Sequence, residues 1–200
     1  MKQAIHHLRT NDPVLSAIIE RVGDYRIQFR QPDFETLVKS IVFQQLTGRV
    51  ASVIFGRLSA AVKGVVTPES ILKLRPSRMR TLGLSTQKTA YIRDLARHTR
   101  AGTVVFEDLP ALPDEEVIVR LTQVKGIGVW TAHMFLIFAL QRSDVLPTGD
   151  LGIRNAIRKA YSLEALPTPE EMERMAHRWR PYCSVASWYL WRSLEGDANL

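Results

Sequence analysis

Residues 121–132 read Leu121-Thr122-Gln123-Val124-Lys125-Gly126-Ile127-Gly128-Val129-Trp130-Thr131-Ala132. This stretch predicts two helices joined by a hairpin that is too short to act as a flexible linker. Glycine at 126 and 128 lets the backbone turn tightly and approach another surface closely. The second helix would then begin with exposed amide groups, which bind phosphate oxygens without reading a base. An ordinary corner between two helices, with glycine as the C-cap, explains the same residues, so both interpretations stay open here.

Helical periodicity continues through most of the chain, and capping residues mark several helix starts, among them Thr67 before Pro68 and Ser85 before Thr86. Beside one helix on each side of a break at Thr47-Gly48 and one from Pro68, helices are predicted at 12–22, 86–99, 113–126, 129–141, 151–161, 169–179 and 181–194. Only Tyr25–Phe29 alternates like a strand, and one short strand makes no sheet. The sequence therefore predicts an all-α fold of roughly ten helices.

The composition is that of a folded globular protein. The 200 residues suffice for one large domain or two small ones, and 46% hydrophobic with 24% charged residues excludes collagen, low-complexity disorder and heptad rods. The longest apolar run, Val129–Leu140, is shorter than the roughly 20 residues of a membrane span. The N-terminus has no apolar signal segment. We therefore expect an intracellular protein, in the cytoplasm and nucleoid or in the nucleus, without a membrane partner.

Positive charge is concentrated in the first half of the chain. The net charge is +7, with 17 Lys or Arg against 7 Asp or Glu in residues 1–100 and 10 against 13 in residues 101–200. One acid, Asp94, interrupts the basic residues Lys73, Arg75, Arg78, Arg80, Lys88, Arg93, Arg97 and Arg100. A phosphate backbone is a natural partner for such a stretch, and a solvated helical face is the alternative.

The sequence contains few candidate metal ligands. A single cysteine, Cys183, excludes an internal disulfide and a four-cysteine zinc or iron–sulfur site, and we expect it to be a small buried residue. His133 has no partner histidine or cysteine at ligand spacing and is predicted to be a polar helix residue.

A second motif, Leu146-Pro147-Thr148-Gly149-Asp150, ends 22 residues beyond Gly128. Asp150 stands at the start of the next predicted helix, where a role as N-cap alone would account for it. Together with the hairpin, this motif resembles the helix-hairpin-helix (HhH-GPD) DNA glycosylase superfamily. Members of that superfamily carry a Lys-Gly-Ile-Gly type of hairpin followed by a catalytic aspartate. The resemblance covers nearly the whole chain.

Five more segments carry the resemblance: Ile41–Thr47, Leu82–Lys88, Trp130–Ala132, Arg178–Pro181 and Trp188–Trp191. The aromatic ones among them are similar to the alkylation-repair branch, the 3-methyladenine DNA glycosylase II proteins. The chain looks like the compact form of that branch, which has no N-terminal β-domain. It lacks the C-terminal cysteine cluster of the endonuclease III branch, so the resemblance implies no iron–sulfur centre.

The resemblance implies a role for each motif. Asp150 would be the catalytic residue, because a carboxylate stabilises positive charge that builds at C1′ of the sugar. The flipped base would contact Trp130, Trp191, Phe43 and Met134, and aromatic faces attract the cationic bases that alkylation creates. The predicted DNA-binding residues are Gln45, Leu46, Lys125, Gly126, Ile127, Gly128 and Thr148, with Gln45 or Leu46 filling the gap left by the flipped base.

The implied architecture is a pair of helical lobes flanking a DNA-binding cleft. One lobe would be 34–134, ending in the hairpin, and the other 1–33 with 135–200, carrying Asp150. No cofactor would be required, and a monovalent cation would bind the backbone carbonyls of Thr122, Val124 and Ile127. The expected partner is DNA containing damaged bases, and the expected state is a monomer.

The predicted function is a monofunctional DNA glycosylase that removes alkylated bases in base excision repair. Two alternative functions share part of this evidence. A noncatalytic helix-hairpin-helix module would bind DNA but has no use for aromatic residues beside a loop-held aspartate. A bifunctional glycosylase/lyase would need a lysine in the helix after the hairpin, and Trp130 occupies the position where that branch carries it.

Overall fold

The computed structural model describes residues 1–195, which contain twelve α-helices and no β-strand. The helices are α1 Lys2–Asn11, α2 Pro13–Val22, α3 Phe34–Phe43, α4 Gly48–Ala61, α5 Pro68–Lys73, α6 Pro76–Thr81, α7 Thr86–Arg100, α8 Asp114–Thr122, α9 Val129–Phe138, α10 Leu151–Ala160, α11 Pro169–Ala176 and α12 Cys183–Glu195. Short 3-10 helices occupy Leu109–Ala111 and His177–Trp179. The predicted all-α fold is confirmed.

Two helices, α1 and α6, escaped prediction, although Pro76 at the first position of α6 is a helix-start signal. Met1 before α1 and Arg75 before α6 make no side-chain cap hydrogen bond. The strand-like alternation at Tyr25–Phe29 was misleading, since these residues form no strand in the described chain. Tyr25 and Ile27 alternate because both pack against the apolar core of α1, α2, α10 and α12, where the Tyr25 ring lies 4.7 Å from that of Trp188.

The chain divides into two compact units. We call residues 30–140 the central unit, and residues 1–29 with the described residues from 141 onward the terminal unit. The predicted lobes, 34–134 and 1–33 with 135–200, would cut α9, whereas the central unit contains all of that helix. As functional domains, those lobes stay a prediction.

A buried carboxylate organises the terminal unit. Asp12 is fully buried, and its Oδ1 caps α2 by accepting hydrogen bonds from the amides of Val14 and Leu15 at 3.0 and 3.1 Å. Its Oδ2 accepts from Trp179 Nε1 at 2.8 Å and from the Tyr161 hydroxyl. Burial, together with the hydrogen bond to Asp12, raises the pKa of Tyr161 above its ordinary value. Asp12 therefore joins the start of α2 to the chain after α10 and α11.

The remaining core of the terminal unit confirms the expected burial of Cys183. Trp179 and Cys183 are fully buried, and Trp188 is nearly so. Burial raises the pKa of the Cys183 thiol, which makes it an unreactive packing residue. Within residues 1–195, no helix combines the length and the apolar character needed to cross a bilayer.

Candidate functional site

The hairpin between α8 and α9 forms as predicted. Its apolar residues, Val124 and Ile127, are buried, and the Ile127 amide donates to the Val124 carbonyl at 3.1 Å. Gly128 is exposed and is the N-cap of α9. Among residues 1–195, the amides of Gly126 and Gly128 have no acceptor. The hairpin thus offers unused N–H groups at a helix N-terminus, where anions bind favourably.

Gly126 is required by a close approach. Its φ is +84°, and a Cβ built on it would lie 2.1 Å from Cδ2 of Tyr91 on α7. The Gly126 carbonyl accepts a hydrogen bond from Gln44 Nε2 at 2.9 Å. Any side chain at this position would have to displace the Tyr91 ring. The predicted reason for glycine, backbone approach to another surface, therefore holds inside the protein itself.

A second contact from α7 fixes the hairpin. The Lys125 amide donates to Asp94 Oδ2 at 3.0 Å, and Arg97 pairs with the other oxygen of this buried carboxylate, also at 3.0 Å. The Lys125 side chain itself is exposed. Tyr91 and Asp94 were both missed as site residues. The sequence held one signal for Asp94, which is the lone acid among eight cations. An isolated carboxylate of this kind commonly has a structural partner.

Two of those eight cations donate to backbone carbonyls at helix ends. Arg93 donates to the carbonyl of Leu74 at 2.6 Å and, at 3.4 Å, to those of Ile71 and Leu72, so it ties the end of α5 to α7. Lys88 likewise donates to carbonyls at the end of α3. The remaining six are exposed: Lys73, Arg75, Arg78, Arg80, Arg97 and Arg100. The predicted phosphate-facing stretch is therefore smaller than its charge count suggests.

The predicted gap-filling residues lie in the turn between α3 and α4. Gln45 has a φ of +56°, a left-handed conformation that is uncommon for a residue with a side chain. Leu46 follows with 37% of its surface exposed. The turn thus presents an amide side chain and an apolar side chain to solvent.

Three of the four predicted base-contacting residues belong to the central unit. Trp130, in the first turn of α9, is 47% exposed, whereas Phe43 and Met134 are half-buried. Lys39 Nζ lies 5.7 Å from the centre of the Phe43 ring. The fourth residue, Trp191, belongs to α12 of the terminal unit.

Asp150 and Trp191 lie in direct contact. Asp150 is 8% exposed and is the N-cap of α10, where its Oδ1 accepts from the Ile153 amide at 2.8 Å. The same oxygen accepts from Trp191 Nε1 at 3.0 Å. A Cβ on Gly152 would lie 3.0 Å from this oxygen and 3.4 Å from Trp191. The N-cap role is confirmed, and the carboxylate is held in a fixed orientation by two donors.

Two backbone hydrogen bonds lie within the loop before Asp150. The amide of Thr148 donates to the Leu146 carbonyl and that of Asp150 to the Pro147 carbonyl, both at 2.9 Å. Thr148 is half-buried and Gly149 exposed. This loop sets the position at which the Asp150 side chain leaves the backbone.

Acidic and imidazole or thiol ligands for a metal are not grouped anywhere in residues 1–195. The backbone carbonyls of Thr122, Val124 and Ile127 lie around the hairpin, and the Val124 oxygen already accepts the Ile127 amide. A carbonyl oxygen has two lone pairs, so this contact leaves one available.

Known proteins match most of this chain. DNA-3-methyladenine glycosylase 1 of Schizosaccharomyces pombe (strain 972 / ATCC 24843) is 35% identical over 194 residues, covering 94% of this chain and 85% of that protein. The crystal structure of DNA-3-methyladenine glycosidase from Bacillus halodurans has a TM-score of 0.88 at 34% identity and covers 98% of this chain and 90% of its own. The S. pombe 3-methyladenine DNA glycosylase in complex with abasic DNA has a TM-score of 0.83 at 36% identity and covers 95% of both chains.

Residues 38–181 match the HhH-GPD superfamily base excision DNA repair proteins. This region contains both the hairpin and Asp150, the two motifs on which the predicted resemblance rested. The resemblance is thereby confirmed, and the chain belongs to the HhH-GPD superfamily of base excision DNA repair proteins.

Proposed function

We propose that this protein is a monofunctional DNA glycosylase acting on alkylated bases, 3-methyladenine and related lesions, and leaving an abasic site in DNA. The observation that carries the proposal is the buried Asp150 carboxylate, held by the Ile153 amide and the Trp191 indole. Relatives named as 3-methyladenine glycosylases support the choice of substrate class.

The chemistry follows from the substrate. An alkylated purine such as 3-methyladenine already carries positive charge, so it leaves as a neutral base when the C1′–N bond breaks. Positive charge then builds at C1′, where water adds and releases a proton to the solvent. A preorganised carboxylate stabilises this charge and orients the water, and Asp150 takes that role in our proposal.

The hairpin and the loop before Asp150 supply the proposed contacts to the DNA backbone. The amides of Gly126 and Gly128 would bind phosphate oxygens, with Ile127 packed between them and the Lys125 side chain adding charge. Thr148, in the loop before Asp150, would contact the backbone as well. These contacts hold DNA without selecting a base.

The turn after α3 and the aromatic residues would select the damaged base. Gln45 or Leu46 would occupy the gap left by the flipped base, since extrusion needs a side chain in its place. Trp130, Phe43 and Met134, with Trp191 beside Asp150, would contact the base. A cation gains about 0.5–2 kcal/mol against an aromatic face, which favours alkylated over normal bases.

We propose further that the protein works as a monomer in the compartment that holds the DNA, and that it requires no organic cofactor. Carbonyls of Thr122, Val124 and Ile127 would hold a monovalent cation, for which neutral oxygen ligands are suitable. Such an ion would stiffen the hairpin and add positive charge near the DNA backbone.

The test is excision from duplexes that each carry one lesion: 3-methyladenine, 7-methylguanine or hypoxanthine. We expect release of the free base, an intact strand, and breaks only after alkali. Binding without release would support the noncatalytic module instead. An adduct trapped by borohydride would support a lyase, which forms a Schiff base through an amine.

A further inference from the structure

Two side chains outside the predicted site hold the turn between α3 and α4, residues 44–47. This turn includes Gln45, whose φ of +56° lies in the left-handed region. A residue with a Cβ keeps that conformation only where its surroundings hold it. Contacts with the surroundings must therefore hold the turn.

Lys88 on α7 supplies the first contact. Its Nζ donates to the carbonyls of Val42 at 2.7 Å and Gln44 at 2.6 Å, one on each side of the end of α3. A cation is favourable at this position, because the last carbonyls of a helix have no partners within the helix and carry partial negative charge. Burial lowers the pKa of the Lys88 ammonium, in keeping with its inward position.

Gln44 supplies the second contact. Its side chain reaches the hairpin, 82 residues away in sequence, and donates from Nε2 to the Gly126 carbonyl at 2.9 Å. That carbonyl is itself fixed, since Tyr91 packs on Gly126 and Asp94 holds the amide of Lys125. Lys88, Tyr91 and Asp94 recur every three residues on α7, which therefore supports both the turn and the hairpin.

We infer that Lys88 and Gln44 are positioning residues that join the gap-filling turn and the phosphate-binding hairpin into one rigid element. This inference rests on the proposed function. When the hairpin binds the DNA backbone, the rigid connection sets where Gln45 and Leu46 enter the duplex. Neither Lys88 nor Gln44 needs to touch the DNA for this effect.

The consequence is specific to base extrusion. A loosened turn fills the gap poorly, so a lesion that is well paired should be extruded less often. A mismatched lesion costs less to unstack and needs less help from the turn. The hairpin binds undamaged duplex through other groups, so the affinity for undamaged duplex should stay the same.

The experiment compares single-turnover excision of 7-methylguanine opposite cytosine with that opposite thymine. For Lys88→Met we expect the rate on the paired lesion to fall at least tenfold and the rate on the mismatched lesion to fall about threefold or less. Affinity for undamaged duplex should stay within about twofold of the wild type. Lys88→Arg, which keeps a cationic donor, should recover most of the paired rate. Gln44→Leu should reproduce the Lys88→Met pattern.

Arg93→Met is the matched control. Arg93 is also a cationic residue of α7. Its side chain likewise donates to carbonyls at a helix end, in this case the end of α5. Arg93→Met should lower the stability of the protein but leave the ratio of excision rates on paired and mismatched lesions unchanged. Should Lys88→Met fail to fold, the Gln44→Leu and Lys88→Arg variants carry the test.

Equal losses on paired and mismatched lesions in Lys88→Met and Gln44→Leu would overturn the inference, as would the same ratio change in Arg93→Met. A wild-type protein that releases no base from either duplex contradicts the proposed function instead.

In that case, base unstacking is measured by the fluorescence of 2-aminopurine placed opposite an abasic site. An unchanged signal in Lys88→Met would overturn the positioning role as well.

Discussion

The indole of Trp191 donates a hydrogen bond to the Asp150 oxygen that also caps α10. One oxygen thus has a structural partner on each side, from α10 and from α12. The carboxylate cannot rotate without breaking one of these bonds. This arrangement allows the charge, the cap and the indole contact to be tested separately.

Asp150→Asn should remove base excision and leave DNA binding unchanged, because an amide replaces the charge with little change in shape. The loss of a preorganised charged group costs about 10²–10³ in rate. Asparagine is a good N-cap, so the melting temperature should change little. Single-turnover excision and a binding titration measure the two effects. Release of 3-methyladenine at more than a tenth of the wild-type rate would contradict the catalytic role.

Trp191→Phe should slow excision about tenfold, because the ring stays while the indole donor to Asp150 is lost; a hydrogen bond to a charged group is worth about 1.5–3 kcal/mol. The slowing should be equal for cationic 7-methylguanine and neutral hypoxanthine, since it acts through Asp150. A loss confined to the cationic base would show instead that Trp191 acts by stacking. Trp188→Phe, in the buried core of the same helix, is the control for packing.

Trp130→Ala should weaken excision of cationic bases more than that of neutral ones. The half-exposed indole offers a π-face that is worth more to a cation. The measured quantity is the ratio of rates for 7-methylguanine and hypoxanthine. Because Trp130 is exposed, the variant should melt within a few degrees of the wild type. Equal losses for both bases, accompanied by a lower melting temperature, would identify Trp130 as a packing residue.

Gly128→Ala should weaken binding to damaged and undamaged duplex alike, with a normal melting temperature. A Cβ there meets nothing within 4 Å, and φ is −93°, so the fold tolerates it. The added methyl would stand beside amides proposed to bind phosphate. Gly126→Ala tests a different property and should destabilise the protein, because it combines positive φ with the clash against Tyr91. Unchanged affinity in Gly128→Ala would return the hairpin to an ordinary helix corner.

Stability should fall in alkali as tyrosines ionise. Burial, and to a lesser extent the neighbouring Tyr189, raises the pKa of Tyr25 from 10.0 to about 12. Between these values the unfolded chain has lost a proton that the folded chain keeps, so the free energy of unfolding decreases as pH rises. Tyr25→Phe should reduce the slope of this decrease by about one proton. Urea unfolding between pH 9 and pH 12 measures it, and an identical slope in the variant would contradict the assignment.

The sequence was most informative where the cause of structure is local. The N-caps Ser85 and Asp150 act on neighbouring residues, so their patterns predicted the starts of α7 and α10 correctly. The hairpin glycines were less exact, since α8 ends at Thr122 and not at the predicted Gly126. The strand-like alternation at 25–29 failed because a chain lying on a core can also direct alternate side chains inward, as Tyr25 and Ile27 show. Local pattern cannot distinguish the two cases without a partner strand.

The supporting contacts of the site could not be predicted in the same way. Gln44 and Gly126 are 82 residues apart, and Lys125 and Asp94 are 31 apart. The charge pattern places Lys88 and Arg93 among the surface cations, although both donate to backbone carbonyls. Only the packing of α7 against its neighbours decides which cations point inward.

The contact between Tyr91 and Gly126 also constrains how this sequence can diverge. A side chain at 126 overlaps the ring at 91, whereas a smaller residue at 91 only opens space behind the hairpin. The ring at 91 must therefore be lost before a side chain fits at 126, and the positive φ still strains any residue with a Cβ there. Related chains that carry a larger residue at the hairpin position should also carry a small one 35 residues earlier. Those paired changes would record the history of this contact.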